Sequence, residues 1–152
     1  MKIAIGSDHA GFELKEKVKE ILEEWNHDII DFGTDSTDSV DYSDYAIKVA
    51  QAVAAGDVER GIAICWTGNG MTIAANKVEG IRATLGLNPD MAMLSRAHNN
   101  SNVLTLASKY LLEGELREIL KVWLETEFEA GRHTRRLSKI PNSGMTESKT
   151  EK

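Results

Sequence analysis

Short apolar runs alternate with segments of helical hydrophobic period along most of the chain. Lys2–Gly6 (KIAIG), His27–Phe32 (HDIIDF), Gly61–Cys65 (GIAIC), Arg82–Leu85 and Asn102–Leu106 have the length and composition of strands. Between the first two, Phe12, Leu14, Val18, Ile21, Leu22 and Trp25 recur at helical spacing and predict an amphipathic helix from Gly11 to about Trp25. Gly33–Ser39 reads as a polar, turn-rich loop. Ala46, Val49, Ala50 and Val53 form the stripe of a second helix, with Asp44 its candidate cap and Gly56-Asp57 its stop. A short helix is predicted over Met71–Asn76. Another opens at Pro89, a residue favoured at the first helical position, and ends near His98. The last long helix is predicted from Glu113 to about Phe128.

Strands separated by helices imply parallel pairing through right-handed crossovers. The pattern therefore predicts an α/β fold, a three-layer α/β/α sandwich around a five-stranded parallel sheet. Residues 1–140 read as one domain, and the polar, aperiodic stretch 141–152 as a disordered tail. In such sheets ligands bind at the carboxyl ends of the strands, where strand order reverses. Polar residues at those ends are the candidates for chemistry.

Composition narrows the classes. The length of 152 residues, with 41% hydrophobic and 28% charged residues, suits one globular domain with a real core. Eighteen basic against twenty-four acidic side chains give a net charge of −6, which argues against a nucleic-acid binder. The single cysteine, Cys65, permits no intrachain disulfide and fits a reducing compartment. Neither a signal peptide nor a membrane-spanning run is legible, so a cytoplasmic location is expected.

The first predicted strand ends in Gly6-Ser7-Asp8-His9-Ala10-Gly11, where Asp8 and His9 project over the sheet edge, or Ser7 or Asp8 caps the next helix. The third ends in Cys65-Trp66-Thr67-Gly68-Asn69-Gly70-Met71. A cysteine just before a helix meets the positive end of its dipole, which favours the thiolate. The two glycines let backbone amides turn toward an anion, and Thr67 adds a hydroxyl. An ordinary glycine turn beside a core cysteine fits the same residues. The loop lacks the third glycine of a dinucleotide fingerprint, the Gly-Lys-Ser/Thr of a nucleotide P-loop and the arginine of a thiol phosphatase. One cysteine and four scattered histidines have no zinc-ligand spacing, so no metal is expected. His98-Asn99-Asn100 suits a helix C-cap. Between Glu129 and Glu147 the charge reverses, with Arg132, His133, Arg135, Arg136 and Lys139 in succession. Arg132 and Arg136 share a face if helical, which suits either a phosphate monoester or a solvated helix end. Tyr42 precedes the second helix as a packing residue or a site residue.

Together these segments resemble the type B ribose-5-phosphate isomerases, a family that also contains allose-6-phosphate and galactose-6-phosphate isomerases. The resemblance runs from Met1 to about Ile140. It rests on GSDHAGFELKEKV, SVDYSDYA, GIAIC, TGNGMTIAANKVEGIRA, RAHNNSNVL and TEFEAGRHTRRLSKI. It implies a Rossmann-like fold, no cofactor and no metal. It also implies a homodimer whose active sites draw on both subunits, paired into tetramers in some members. Carried over by position, Cys65 is the base moving a proton between the reacting carbons. Thr67 and the backbone of Gly68, Asn69, Gly70 and Met71 make the anion hole. His98, with Asp8 nearby, opens the sugar ring. His9, Arg132 and Arg136 bind phosphate, and Tyr42 and Asn99 hold sugar hydroxyls.

Two positions depart from the family. Trp66 stands where a small residue, commonly glycine, is usual, and either reshapes the pocket or points away. Lys109 follows the fifth strand where an arginine is frequent; it keeps the charge at the substrate-binding edge but loses the bidentate fork. The activity implied is interconversion of ribose 5-phosphate and ribulose 5-phosphate in pentose phosphate metabolism. A six-carbon sugar phosphate as substrate and a non-catalytic sugar-phosphate binder are the alternatives, with a nucleotide-binding domain the weaker third.

Overall fold

The structure, a computed structural model, describes residues 1–112 and 114–147. The five predicted runs form strands β1 (Lys2–Ser7), β2 (Asp28–Asp31), β3 (Arg60–Cys65), β4 (Ala83–Leu85) and β5 (Val103–Ala107). All pair in parallel, in the order β2-β1-β3-β5-β4. The helices are α1 (Phe12–Glu24), α2 (Tyr42–Ala54), α3 (Asn69–Ala75), α4 (Pro89–Asn99), α5 (Leu116–Glu125) and α6 (Arg132–Ser138). From β1 the chain first builds outward to β2, then returns past β1 to place β3 on its other side. The strand order thus reverses between β1 and β3, and their carboxyl ends flank the crevice where ligands enter such sheets.

The period of two along each strand separates two unlike faces. Ile3, Ile5, Ile62, Ile64, Leu104 and Leu106 point to one side. They pack there against Val18, Ile21 and Leu22 of α1, Ile119, Leu120 and Trp123 of α5, and Ala92 of α4. The other side is built from small residues. Ala63, Cys65, Ala83 and Val103 meet Ala46 and Ala50 of α2 and Met71 and Ala75 of α3, while Ala4 meets Val49. Helix α2 therefore comes unusually near the sheet. A Cβ on Gly61 would lie 2.5 Å from Val49 Cγ1, and one on Gly6 would lie 2.9 Å from Val49 Cγ2. This close approach carries the first residue of α2, Tyr42, to the carboxyl edge beside β3.

Helix boundaries differ from expectation in three places. Helix α2 begins at Tyr42 rather than Asp44, so Asp44 lies in the first turn, where its charge complements the dipole without a cap bond. Helix α5 spans Leu116–Glu125, with extended backbone at Thr126; its expected first residue, Glu113, lies outside the described residues. A separate helix, α6, carries the basic segment. The expectation of a disordered tail from Pro141 is corrected over its first part. The Gly80 amide donates to Asn142 O (2.8 Å), Arg82 Nη1 donates to Ser143 O (2.6 Å), and Ser143 is buried. Residues 148–152 lie outside the described residues. No helix among the described residues is long and apolar enough to cross a membrane.

Candidate active site

Three loops meet at the carboxyl edge of β1, β3 and β5. Asp8, just past β1, is buried; its amide donates to Ile64 O (3.2 Å) and its Oδ1 accepts from the Gly11 amide (3.0 Å). Gly11 has no room for a side chain, since a Cβ would lie 2.6 Å from Ile64 O. His9 Nδ1 accepts from the Val40 amide (3.1 Å), so the neutral ring carries its proton on Nε2. That leaves Nε2–H as the donor of the neutral His9 ring.

Strand β3 ends at Cys65, which alternation turns onto the small-residue face with Ala46, Ala63 and Met71, 4% exposed. The chain then enters α3 through Gly68, at φ +78°, where a Cβ would also lie 2.5 Å from Leu85 Cδ1. The Asn69 amide donates to Thr67 Oγ1 (3.3 Å). The amides of Gly70 and Met71 belong to the first turn and have no helical carbonyl to bond. They are left free to donate, beside the strand end that carries the cysteine. The Tyr42 ring lies over this turn, for a Cβ on Gly70 would stand 2.6 Å from Tyr42 Cε2. Cys65, Thr67, the Gly68–Met71 backbone, Asp8, His9 and Tyr42 are thus assembled at the reversal point by one chain.

Two supports for this edge are not evident from the sequence. Thr72 Oγ1 donates to Gly68 O (2.8 Å) and shares a hydrogen bond with Thr105 Oγ1 (2.6 Å), which pins the glycine turn to β5. Ser108 Oγ lies within hydrogen-bond reach of both Ala10 O (3.1 Å) and Cys65 O (3.2 Å), and its amide donates to Cys65 O (3.0 Å). It joins the Asp8 loop to the cysteine. No local signal marks these braces, because Thr72 and Thr105, and Ser108 and the Ala10 and Cys65 carbonyls, are distant in sequence.

Trp66 is turned to the opposite face from Cys65. Its indole borders a pocket of about 580 Å³ between α1 and the start of α5, with Leu14, Ser108, Leu111 and Leu116. Lys109 is exposed, and its ammonium stands over the rings of Trp66 (5.9 Å) and Tyr110 (5.4 Å).

The remaining sequence-predicted residues lie at the other edge of the sheet. Helix α4 runs back from the carboxyl to the amino ends of the strands, so His98 and Asn99 precede β5 rather than follow it. Cys65 is level with Ala107 and Gly61 with Val103. Four residue steps of strand, about 13 Å, thus separate the two ends of β5. Within one chain His98 and Asp8 therefore occupy opposite edges of the sheet. His98 instead stacks on His133 (4.4 Å between centroids, 12° between planes), and Glu129 Oε2 lies 3.6 Å from His98 Nε2 and 3.5 Å from His133 Nε2. Burial, reinforced by Arg132 and His98, pushes the His133 imidazole below its ordinary pKa. Helix α6 buries His133, Thr134 and Leu137, which leaves Arg132 and Arg136 exposed one turn apart. His98, Glu129 and His133 hold donor atoms within 4.8 Å of one another. The two rings are nearly parallel, however, so their in-plane lone pairs do not converge on one ion, and two arginines flank the group.

Comparison with known proteins identifies the family of this fold. The profile of a family described as Ribose/Galactose Isomerase matches residues 3–140. Ribose-5-phosphate isomerase B of Escherichia coli is 46% identical over 91% of this chain and 93% of its own. The solved structure of ribose-5-phosphate isomerase B from Clostridium thermocellum superposes with a TM-score of 0.90 at 48% identity, covering 92% of this chain and 95% of that one. The enzyme from Mycoplasma genitalium, solved with bound ribulose 5-phosphate, gives a TM-score of 0.87 at 41% identity over 91% of this chain and 93% of that one.

Proposed function

Because the chain belongs to the ribose/galactose isomerase family, we propose that it interconverts ribose 5-phosphate and ribulose 5-phosphate. The observation that carries this reading is the grouping of Cys65, Thr67 and the free amides of Gly70 and Met71 under the Tyr42 ring. A base, oxyanion donors and a substrate-facing hydroxyl are what an aldose–ketose proton transfer requires.

The site is completed by a second copy of the chain. One protomer offers the carboxyl edge, and His98, Asn99, Arg132 and Arg136 of the partner subunit supply the groups that the same chain holds at its opposite edge. In this reading Asp8 and His98 of the partner subunit open the furanose. One gives a proton to the ring oxygen and the other takes the proton of the anomeric hydroxyl. Cys65 then removes the proton on C2 of the open aldose. The electron pair forms the C1–C2 double bond, and the oxyanion on O1 is held by Thr67 and the α3 amides. Transfer of the O2 proton to O1, and return of the thiol proton to C1, give the ketose. The phosphate does not react, so its binding positions the sugar. His9 Nε2, and Arg132 and Arg136 of the partner subunit, receive it, whereas the Lys109 ammonium is turned over the Trp66 ring. Tyr42 and Asn99 of the partner subunit hold hydroxyls.

The non-catalytic alternative required Trp66 to obstruct Cys65, and an indole on the opposite face removes that motive. The deciding experiment is turnover of ribose 5-phosphate by purified protein, with allose 6-phosphate and galactose 6-phosphate in parallel and Cys65→Ala as control. Preferred turnover of the pentose, abolished in Cys65→Ala, is expected. Preference for a hexose, or turnover that survives Cys65→Ala, overturns the reading.

A further inference from the structure

Three buried or half-buried arginines line the amino edge of the sheet. Arg60 donates to the Trp123 and Leu124 carbonyls at the end of α5, and burial pushes its pKa down to about 10. Arg96, within α4, donates from Nη1 to Asn100 Oδ1 (2.9 Å) and Ser101 O (2.6 Å). Arg82, just before β4, reaches two distant segments as well as its own loop. Its Nε donates to Asn100 O (2.8 Å), and its Nη1 to Ser143 O (2.6 Å) and Gly80 O (3.3 Å). Its backbone amide donates to Asn102 Oδ1 (2.8 Å), and Asn102 Nδ2 returns to Gly80 O (2.9 Å).

Asn100 is the left-handed C-cap of α4, at φ 46°, and directly follows His98 and Asn99. Ser143 Oγ donates to Leu137 O (2.8 Å), the last turn of α6, the helix of Arg132 and Arg136. One guanidinium therefore ties the end of α4 to the end of α6. A planar cation with several donors suits this; a lysine would reach fewer of the carbonyls at once. We propose that Arg82 is a positioning residue that presents His98, Asn99, Arg132 and Arg136 as one rigid unit to the active site of a second copy of the chain.

The proposal rests on the shared-site reading, and a complementation experiment separates the two. Arg82 belongs to the donated half-site, so its loss damages the partner's active site and spares the Cys65 half-site of its own chain. Homodimers of Arg82→Gln are expected to lose about tenfold in kcat/KM, mostly through KM, as charge-assisted hydrogen bonds are lost. Heterodimers of Arg82→Gln with Cys65→Ala, isolated with two affinity tags, contain one site built from an intact Cys65 and an intact Arg82. That site is expected to restore about half of the wild-type activity, with the wild-type KM. The control pair is His98→Asn with Cys65→Ala. If the control pair regains activity and the Arg82 pair does not, Arg82 acts on its own chain's site or on the whole fold, and the proposal fails. If neither pair regains activity, the shared site itself is wrong. Should Arg82→Gln not fold, Ser143→Ala in the full chain retains Arg82 but removes the Ser143 Oγ bond to Leu137 O that joins it to α6. It is expected to raise KM in the same direction and to complement Cys65→Ala; unchanged kinetics in that variant would overturn the tie to α6.

Discussion

Gly70→Ala tests the placement of Tyr42 with little interference from folding. Gly70 lies in the first turn of α3, and alanine in a helix is favoured over glycine by about 1 kcal/mol. The new methyl would stand 2.6–2.9 Å from three carbons of the Tyr42 ring. Tyr42 is 44% exposed, so its ring can swing outward rather than strain the core. Losing roughly 40 Å² of contact costs about 1 kcal/mol at ~25 cal/mol per Å². The two effects nearly cancel, so thermal unfolding should shift by no more than about 4 °C. The backbone amide of the substituted residue remains in place, so the anion hole is intact and kcat should hold. In the proposed reading Tyr42 then loses its hydrogen bond to a sugar hydroxyl, worth about 0.5–1.5 kcal/mol, which predicts a roughly two- to tenfold rise in KM. Steady-state kinetics beside Tyr42→Phe measure this, and the two substitutions should not be additive. A large fall in kcat at unchanged KM would refute the reasoning, as would wild-type kinetics. Gly68→Ala is the contrast. Its φ of +78° strains any L side chain, and a Cβ there would also push the Leu85 Cδ1 methyl, 2.5 Å away, out of place. A loss of about 2–4 kcal/mol is expected, together with a fall in kcat.

Two further outcomes follow from groups outside the chemistry. Asp31 sits 2.6 Å from the buried Lys15 Nζ, 2.9 Å from Lys19 Nζ and 2.8 Å from the Gly33 amide. Burial raises its pKa, but the hydrogen bonds from Lys15, Lys19 and Gly33 outweigh that and hold the carboxyl below its usual value. A depressed carboxyl stabilises the fold above its unfolded pKa of about 3.9, and this contribution disappears as pH falls through the lower folded value. Chemical denaturation across pH 2–7, a range of about five units around that value, should show Asp31→Asn destabilised by about 1–2 kcal/mol at neutral pH, a figure reduced for the partial exposure of Asp31. The difference from wild type should shrink in acid; a difference constant across the range would refute the assignment. Trp66→Gly should leave kcat/KM within about twofold, as for a surface change away from the reacting atoms. A change of about tenfold or more would place the indole in the substrate's path.

The local pattern already contained the architecture. Alternating runs such as Ile3–Ile5 and Ile62–Ile64 have period two, and the Val18–Ile21–Leu22 stripe has period 3.6, so strand and helix identities follow from backbone geometry alone. The glycine turn after Cys65 was equally legible, because positive φ and close approach are demands on single residues. Helix ends were less so. The start of α2 lies at Tyr42 rather than Asp44, and its cap residue Asp41 makes no side-chain cap bond that a capping signal could have marked.

Membership of the site was decided by the fold. Cys65, Asp8 and Tyr42 are far apart in sequence and meet only because the strand order reverses between β1 and β3. Thr105 and Ser108 gain their bracing roles from β5 lying against β3, which no local signal announces. Trp66 was undetermined in sequence, and strand alternation sends it to the face opposite Cys65. His98 and Asp8, both recognisable as polar residues at element ends, lie at opposite edges of one sheet because a crossover helix must run antiparallel to its strands. Sequence by itself determined which residues have the right chemistry and which elements carry them, since those depend on side-chain type and backbone period. Only the tertiary structure decided which of them one chain brings together, because strand order and helix direction set distances that no local pattern encodes.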